Sequence, residues 1–400
     1  MAPARRRAPR LAATVIVVLA VFVLGLWLGG HPSWLPTAVR DAFDDNSSTP
    51  LVSTVLNTIR QDYYRPVSRG QLIDKSLVAM VASLQDPYSH YYSPSAYQAF
   101  LNQSNRRFHG IGVDVVQDPR GLRVIDVFPG EPAANAGLQH GDLIVSVDSH
   151  KLAGHSATFA SNLIRGPAGT TVHLAVLRGK RTLAFKIVRA DVIVPVTSGR
   201  IVDYHGLKIG YLRLTSFTPG SGDALRSDVR KVLQQGAQAL ILDLRENGGG
   251  LLNEAVNVAS IFIADGTIVT TRGRSQPTQV YVAKRNAIAP KLPMVVLVDR
   301  DTASSAEIVT GALKDHGRAE VVGTRTYGKG VFQEIMPVPG GGALDITVGE
   351  YFTPNGQNLG GGGVREGRGI KPTVYAPSTF TAQVDHALQT AERVVAARAR

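Results

Sequence analysis

Hydrophobic positions follow three different rhythms along this chain. From 11 to 29 they are continuous and uncharged. As a helix rising about 1.5 Å per residue, that run is close to the ~30 Å of a bilayer's hydrocarbon core. From 51 to about 105 they recur at helical spacing, with Leu51, Val55, Ile59 and Tyr63 on one face and Leu72, Leu77, Val78, Met80 and Leu84 on another. From 108 to 190, short apolar runs broken by glycine and proline predict a small β-rich domain. From about 201 onward, strands and helices alternate. Strands are expected at 207–214, 239–245, 278–283, 294–299 and 343–352, and helices at 223–235, 251–263, from about 304 to Gly317, and 381–398. The run at 239–245 is apolar throughout, which predicts a strand buried on both faces.

This division predicts a basic tail (1–10), a membrane span (11–29), a linker (30–50), a helical region (51–107), the β-rich domain (108–190), an α/β core (191–377) and a terminal helix (378–400). Arg5, Arg6, Arg7 and Arg10 precede the apolar run, and the next arginine is Arg40. That asymmetry keeps the N-terminus cytoplasmic and places the rest outside. Trp27 and Trp34 suit the far interface. A cleaved signal peptide is the rival, but the run is long for one and no Ala-x-Ala site follows. The expected location is the cell membrane, single-pass.

Composition narrows the chemistry. With 44% hydrophobic and 18% charged residues the chain is globular. It has no cysteine, which removes disulfides, thiolate metal sites and a cysteine nucleophile. The net charge of +12 invites a nucleic-acid reading, yet no recognition module is present and much of the charge sits at the termini. No nucleic acid, metal or cofactor is expected.

Candidate chemistry lies between 301 and 333. Asp301 or Thr302 can cap the helix that begins there, and Ser304 and Ser305 stand at its start. A helix start offers unpaired N–H groups able to hold a developing oxyanion. Lys329 is set between Gly328 and Gly330, and if a strand begins there, Lys329, Val331 and Gln333 share a face. A glycine turn, Gly248 to Gly250, links the buried strand to the next helix and makes backbone amides accessible. A phosphate loop is one reading, but its Gly-Lys-Ser/Thr ending is absent.

Ser304, Glu307, Gly328-Lys329-Gly330 and Gln333 resemble the signature of the carboxyl-terminal processing (tail-specific) proteases, a serine–lysine peptidase family. The spacing of three residues to the glutamate and 25 to the lysine selects Ser304 over Ser305. Where the family reads Ser-Ala-Ser-Glu, this chain reads Ser304-Ser305-Ala306-Glu307. The segment Asp243-Leu244-Arg245-Glu246-Asn247-Gly248-Gly249 is similar to the family's Asp-Leu-Arg-x-Asn-Pro-Gly, with Gly248 replacing proline. Leu84 to Ser89 resembles its Leu-Asp-Pro-Tyr-Ser segment. The run from Pro129 to Asp148 resembles a bacterial PDZ domain.

The resemblance implies a crotonase-like α/β catalytic core with an inserted PDZ domain. It implies Ser304 as nucleophile, Lys329 as base and Gln333 as the group orienting the amine, with an oxyanion hole from the amides of Gly249 and Ser305. Lysine must be neutral to act, which predicts that Lys329 is largely buried and touches no carboxylate. The PDZ domain implies a carboxylate-binding loop at Gly110, Ile111, Gly112 and Val113, with Arg165 nearby. The implied partners are proteins with exposed C-termini, and a homo-oligomer or an accessory activator is left open. The alternatives are a catalytically silent, membrane-tethered PDZ scaffold, a histidine triad and a thioester-processing enzyme of the crotonase kind. A triad is disfavoured because only His205, His316 and His386 lie beyond the PDZ region.

Overall fold

The computed structural model describes residues 48–104, 107–377, 380–381 and 384–399. The expected span at 11–29 and the tail before it lie outside the described residues. Among those described, no helix is long and apolar enough to cross a membrane. The described residues up to Met80 and those from Val81 onward form two compact units.

The expected helical stretch at 51–107 is broken into pieces. α1 (Ser48–Asp62) and α2 (Arg69–Ala82) are separated around Pro66, which lacks the N–H that a continuing helix needs. On the two apolar faces, Leu51, Val55, Val78 and Met80 stand exposed, while Ile59, Leu72 and Leu77 are half-buried. Helical spacing shows which residues share a face, not what covers them. After Pro87 the chain forms β1 (His90–Tyr92) and α3 (Pro94–Ser104).

β2 (Arg107–Gly110) leads into the β-rich domain. Its strands are β3 (Val113–Asp118), β4 (Gly121–Val127), β5 (Leu143–Val147), β6 (His150–Lys151), β7 (Thr171–Arg178) and β8 (Arg181–Val188). The order β3-β4-β5-β7-β8, with β6 on β5, leaves β3 at an edge. Two helices, α4 (Pro132–Asn135) and α5 (Ala157–Ile164), complete a core of Leu122, Val124, Ile144, Val172 and Ile164. β9 (Ala190–Ile193) then returns antiparallel to β2, so both ends of the domain meet in one ribbon. That is the topology of an insertion.

The remaining chain builds two sheets. β10 (Thr197–Tyr204), β11 (Leu207–Leu214), β12 (Ala239–Asp243), β15 (Met294–Val298), β16 (Glu320–Gly323) and β19 (Val374–Tyr375) lie side by side in that order, all parallel from β11 onward. Alternate side chains of these strands face opposite ways. Leu240, Leu242 and Val296 pack beneath α6 (Ser221–Gln234), α7 (Leu252–Phe262) and α8 (Ser305–Asp315). Ile241, Val295 and Leu297 meet Ala387, Ala391 and Val395 of α9 (His386–Arg398). The second sheet is antiparallel, ordered β1-β18-β13-β14, with β17 (Val331–Pro337) beside β18 (Ala343–Phe352). Its other members are β13 (Thr267–Gly273) and β14 (Gln279–Val282).

Candidate active site

β12 and β15 are parallel neighbours, with Asp243 level with Leu297. The loops after them therefore leave the sheet at the same edge, where open α/β sheets place their sites. One loop is the glycine turn and the other ends at Ser304. Their packing is close enough to require glycine. At Gly249, with φ of +99°, a Cβ would lie 2.8 Å from Ser304 Cβ and 2.9 Å from the Ser305 nitrogen. Asn247 holds the loops together: its carbonyl accepts the Ala303 N–H at 2.9 Å, and its Nδ2 donates to the Leu214 carbonyl at 2.8 Å. Ser305 Oγ donates to the Gly250 carbonyl at 2.8 Å.

Ser304 occupies the N-cap of α8 with φ 54° and ψ −119°. A side chain in that region carries strain of roughly 1–3 kcal/mol, which persists only where the surroundings impose it. The caps expected at Asp301 or Thr302 are not used. Thr302 Oγ1 instead accepts the Asp299 N–H at 3.0 Å and donates to the Leu244 carbonyl at 2.9 Å. The Ser305 N–H has no acceptor among the described residues, whereas the Gly249 N–H donates to Asn247 Oδ1 at 2.9 Å.

What joins Ser304 to the Gly-Lys-Gly segment is Glu307, fully buried at the third position of α8. Its Oε2 accepts the N–H groups of Ser304 and of Lys329, each at 2.9 Å. Its Oε1 accepts Gly328 N–H at 2.8 Å and Thr326 Oγ1 at 2.5 Å. Burial pushes this carboxyl up, and the four donors oppose that. Gly330 is equally constrained: a Cβ there would lie 2.4 Å from the Gly360 nitrogen, so the glycine run after Leu359 closes directly on the segment.

Lys329 is partly buried, and among the described residues no carboxylate forms an ion pair with it. Its Nζ lies 4.3 Å from the centroid of the Tyr88 ring. Burial lowers its pKa, and the charges of Asp345 and Asp86 oppose the shift. No hydrogen bond joins Nζ to Ser304 Oγ or to Gln333. Gln333 Nε2 donates to Thr347 Oγ1 at 2.9 Å instead. β17 begins at Val331, one residue past Gly330, and its register shifts between Phe332 and Gln333. Asp345 is only 9% exposed, and its Oδ1 has no hydrogen-bond partner among the described residues. Burial raises its pKa.

Beside the glycine turn lies a cavity of about 320 Å³, bordered by Gly250, Leu252, Tyr281, Phe332, Gln333 and Tyr351. In the β-rich domain, Ile111, Gly112, Val113 and Arg165 line a separate cavity of about 240 Å³ along β3 and α5. Gly110 is not among its walls; it pairs with Ala190 in the β2–β9 ribbon. The Arg165 guanidinium lies over the Phe108 ring, 5.2 Å from its centroid. His316 ends α8, and its Nε2 meets the Thr267 carbonyl at 2.7 Å.

Sequence reasoning missed the roles of Glu307 and Asn247 in holding these loops, and the placement of Tyr88. The signal for Glu307 was its position three residues after Ser304, where a capping-box glutamate reaches back. No local pattern announces Tyr88, which lies far from Lys329 in sequence.

The peptidase family S41 model matches residues 208–375, and a PDZ domain model matches 110–188. A carboxy-terminal-processing protease of Bartonella bacilliformis is 32% identical over 352 residues, covering 86% of this chain and 80% of that protein. A CtpA-like serine protease of Staphylococcus haemolyticus is 30% identical over 334 residues, 83% of this chain and 66% of that one. Among solved structures, an S41 protease from Bacteroides fragilis shares the fold, with a TM-score of 0.55 at 20% identity over 86% of this chain and 97% of that one. By its sequence, its fold and the PDZ domain inserted in it, the chain belongs to peptidase family S41, as a carboxy-terminal-processing serine protease.

Proposed function

We propose that Ser304 and Lys329 form the catalytic pair and that the PDZ domain presents substrate C-termini to them. The observation that carries this reading is the single buried carboxylate of Glu307, which binds the backbone N–H of both residues. The neutral Lys329 amine takes the proton from Ser304 Oγ as the oxygen bonds to the scissile carbonyl carbon. The resulting ammonium returns that proton to the leaving amide nitrogen as the C–N bond breaks. Water then hydrolyses the acyl-enzyme by the same proton relay. The free Ser305 N–H is one oxyanion donor. The Gly249 N–H becomes the second only by releasing Asn247 Oδ1, a small rotation of the turn. Nζ must likewise close on Oγ, a tightening common when substrate binds. Gln333 leaves Thr347 to orient the amine in that closed arrangement. The cavity beside Gly250 receives a substrate side chain next to the scissile bond.

In the PDZ domain, the open edge of β3 suits an added peptide strand, with its carboxylate held by the amides around Ile111 to Val113. The apolar run at 11–29 anchors the protein in the membrane, with the peptidase on the far side. A fluorophosphonate that labels Ser304, combined with a peptide-hydrolysis assay, tests the core of the proposal. Ser304→Ala abolishes both labelling and turnover, by at least about a thousandfold. Full turnover by that variant contradicts it.

A further inference from the structure

Lys329 has to satisfy two opposed demands. Its amine must be neutral before attack and must carry a proton afterwards. A carboxylate in contact would hold it permanently charged, whereas an apolar wall alone would leave the new ammonium unsupported. The structure pairs no described carboxylate with Nζ. It places Nζ over the face of Tyr88, 4.3 Å from the ring centroid. An aromatic face attracts a cation through its quadrupole, more weakly than a full charge does.

Given the serine–lysine reading above, we infer that Tyr88 is a positioning residue for catalysis, whose ring holds the Lys329 amine and stabilises it when it carries the serine's proton. The ring is itself fixed. Its hydroxyl donates to the Tyr327 hydroxyl at 2.9 Å, and Tyr327 directly precedes the Gly-Lys-Gly segment, its N–H bonded to the Thr302 carbonyl at 3.0 Å. Tyr88 N–H is anchored on Asp86 Oδ1 at 3.0 Å, and Asp86 Oδ2 accepts from Ser89 Oγ at 2.6 Å. Ser89 Oγ in turn accepts the Thr347 N–H at 3.1 Å. The segment before β1 is thus bound to β18 on one side and to the lysine segment on the other. It belongs to neither catalytic loop, yet it supplies a wall of the site.

The charged and titratable groups around Nζ can be named. Asp86 lies on the Tyr88 segment and Asp345 on β18. His90 on β1 faces Asp345. Tyr327 reaches Tyr88, and Glu307 binds the lysine's main chain. Both carboxylates favour the ammonium from beyond ion-pair distance. Among the described rings, that of Tyr88 is the one lying over Nζ.

The test is the pH dependence of Ser304 acylation by a fluorophosphonate, measured on the full chain. Lysine protonation sets an acid limb, below which the rate falls. A ring that favours the ammonium raises the pH of that limb, so removing it moves the limb to lower pH. Tyr88→Leu is expected to lower the plateau rate about tenfold. It is also expected to raise the acid-side rate, relative to its own plateau, by about threefold to tenfold. Tyr88→Phe keeps the ring and stays within about twofold of the wild type. Should Tyr88→Leu fail to fold, phenylalanines of increasing fluorination at the same position weaken the ring's face without changing its shape. The limb should then move stepwise to lower pH. An acid limb that stays in place through the fluorinated series, or a Tyr88→Phe protein as impaired as the leucine variant, overturns the inference. Failure of the underlying dyad reading is a separate result: wild-type protein would show no Lys329-dependent acylation at any pH.

Discussion

Glu307 is the residue on which the site's geometry depends most. Four donors converge on it, three of them backbone N–H groups that no other described acceptor serves. Glu307→Ala leaves those donors unpaired in a buried place, which costs about 3 kcal/mol or more, readable in urea unfolding. Glu307→Gln keeps the shape but turns an NH2 toward groups that also donate. It should lower peptide turnover on the order of a hundredfold by displacing Ser304 and Lys329, while the protein stays folded. Spacing along the chain identifies Ser304, Lys329 and Glu307, because each stands at a fixed distance from the others. It does not reveal that the glutamate is the link, since the Lys329 N–H it binds comes from a different loop. Nor does it reveal the strained φ of Ser304. That conformation accompanies the close packing of Gly249 on Ser304, a contact made only in the folded chain.

The strands and helices that carry these residues were largely legible, because parallel strands buried on both faces read as continuous apolar runs. The run at 239–243 and the one at 294–298 are such strands, and their adjacency brings the two loops together. The start of β17 was not legible. Gly330 separates Lys329 from the strand, and the register shifts between Phe332 and Gln333, which no local pattern announces. Polar contacts also escaped the pattern. At the end of β12, Arg245 donates to Asp243 and to Asp385 at the start of α9, and Tyr211 adds its hydroxyl to Asp243 at 2.6 Å. Asp243 and Arg245 are buried, so Arg245→Ala strands a charge and should destabilise the protein by about 3–5 kcal/mol. Burial pushes the Asp385 carboxyl up, but the bonds from Arg245 outweigh it and leave the pKa lowered. A lowered carboxyl contributes stability above its unfolded pKa and loses it as pH falls through the folded value. The difference between wild type and Arg245→Ala in urea should therefore be full at neutral pH and shrink below about pH 4.

For the protein as a whole, the PDZ domain and the peptidase core are joined by the β2–β9 ribbon, so the edge of β3 and the segment carrying Ser304 and Lys329 belong to a single chain path. Arg165 stands beside the proposed carboxylate site. Arg165→Glu should raise KM about tenfold for peptides with a free C-terminal carboxylate and leave amide-capped peptides unaffected. Equal effects on both would detach the PDZ cavity from tail recognition. The claim beneath all of this is that an uncharged lysine activates Ser304. It is tested most directly by following Ser304 acylation in wild-type and Lys329→Ala proteins from neutral to alkaline pH. The account predicts that the wild-type rate rises to a plateau as Lys329 loses its proton, and that the variant stays at least about a thousandfold slower at every pH. A variant that acylates at the wild-type rate, with the same pH dependence, would contradict it.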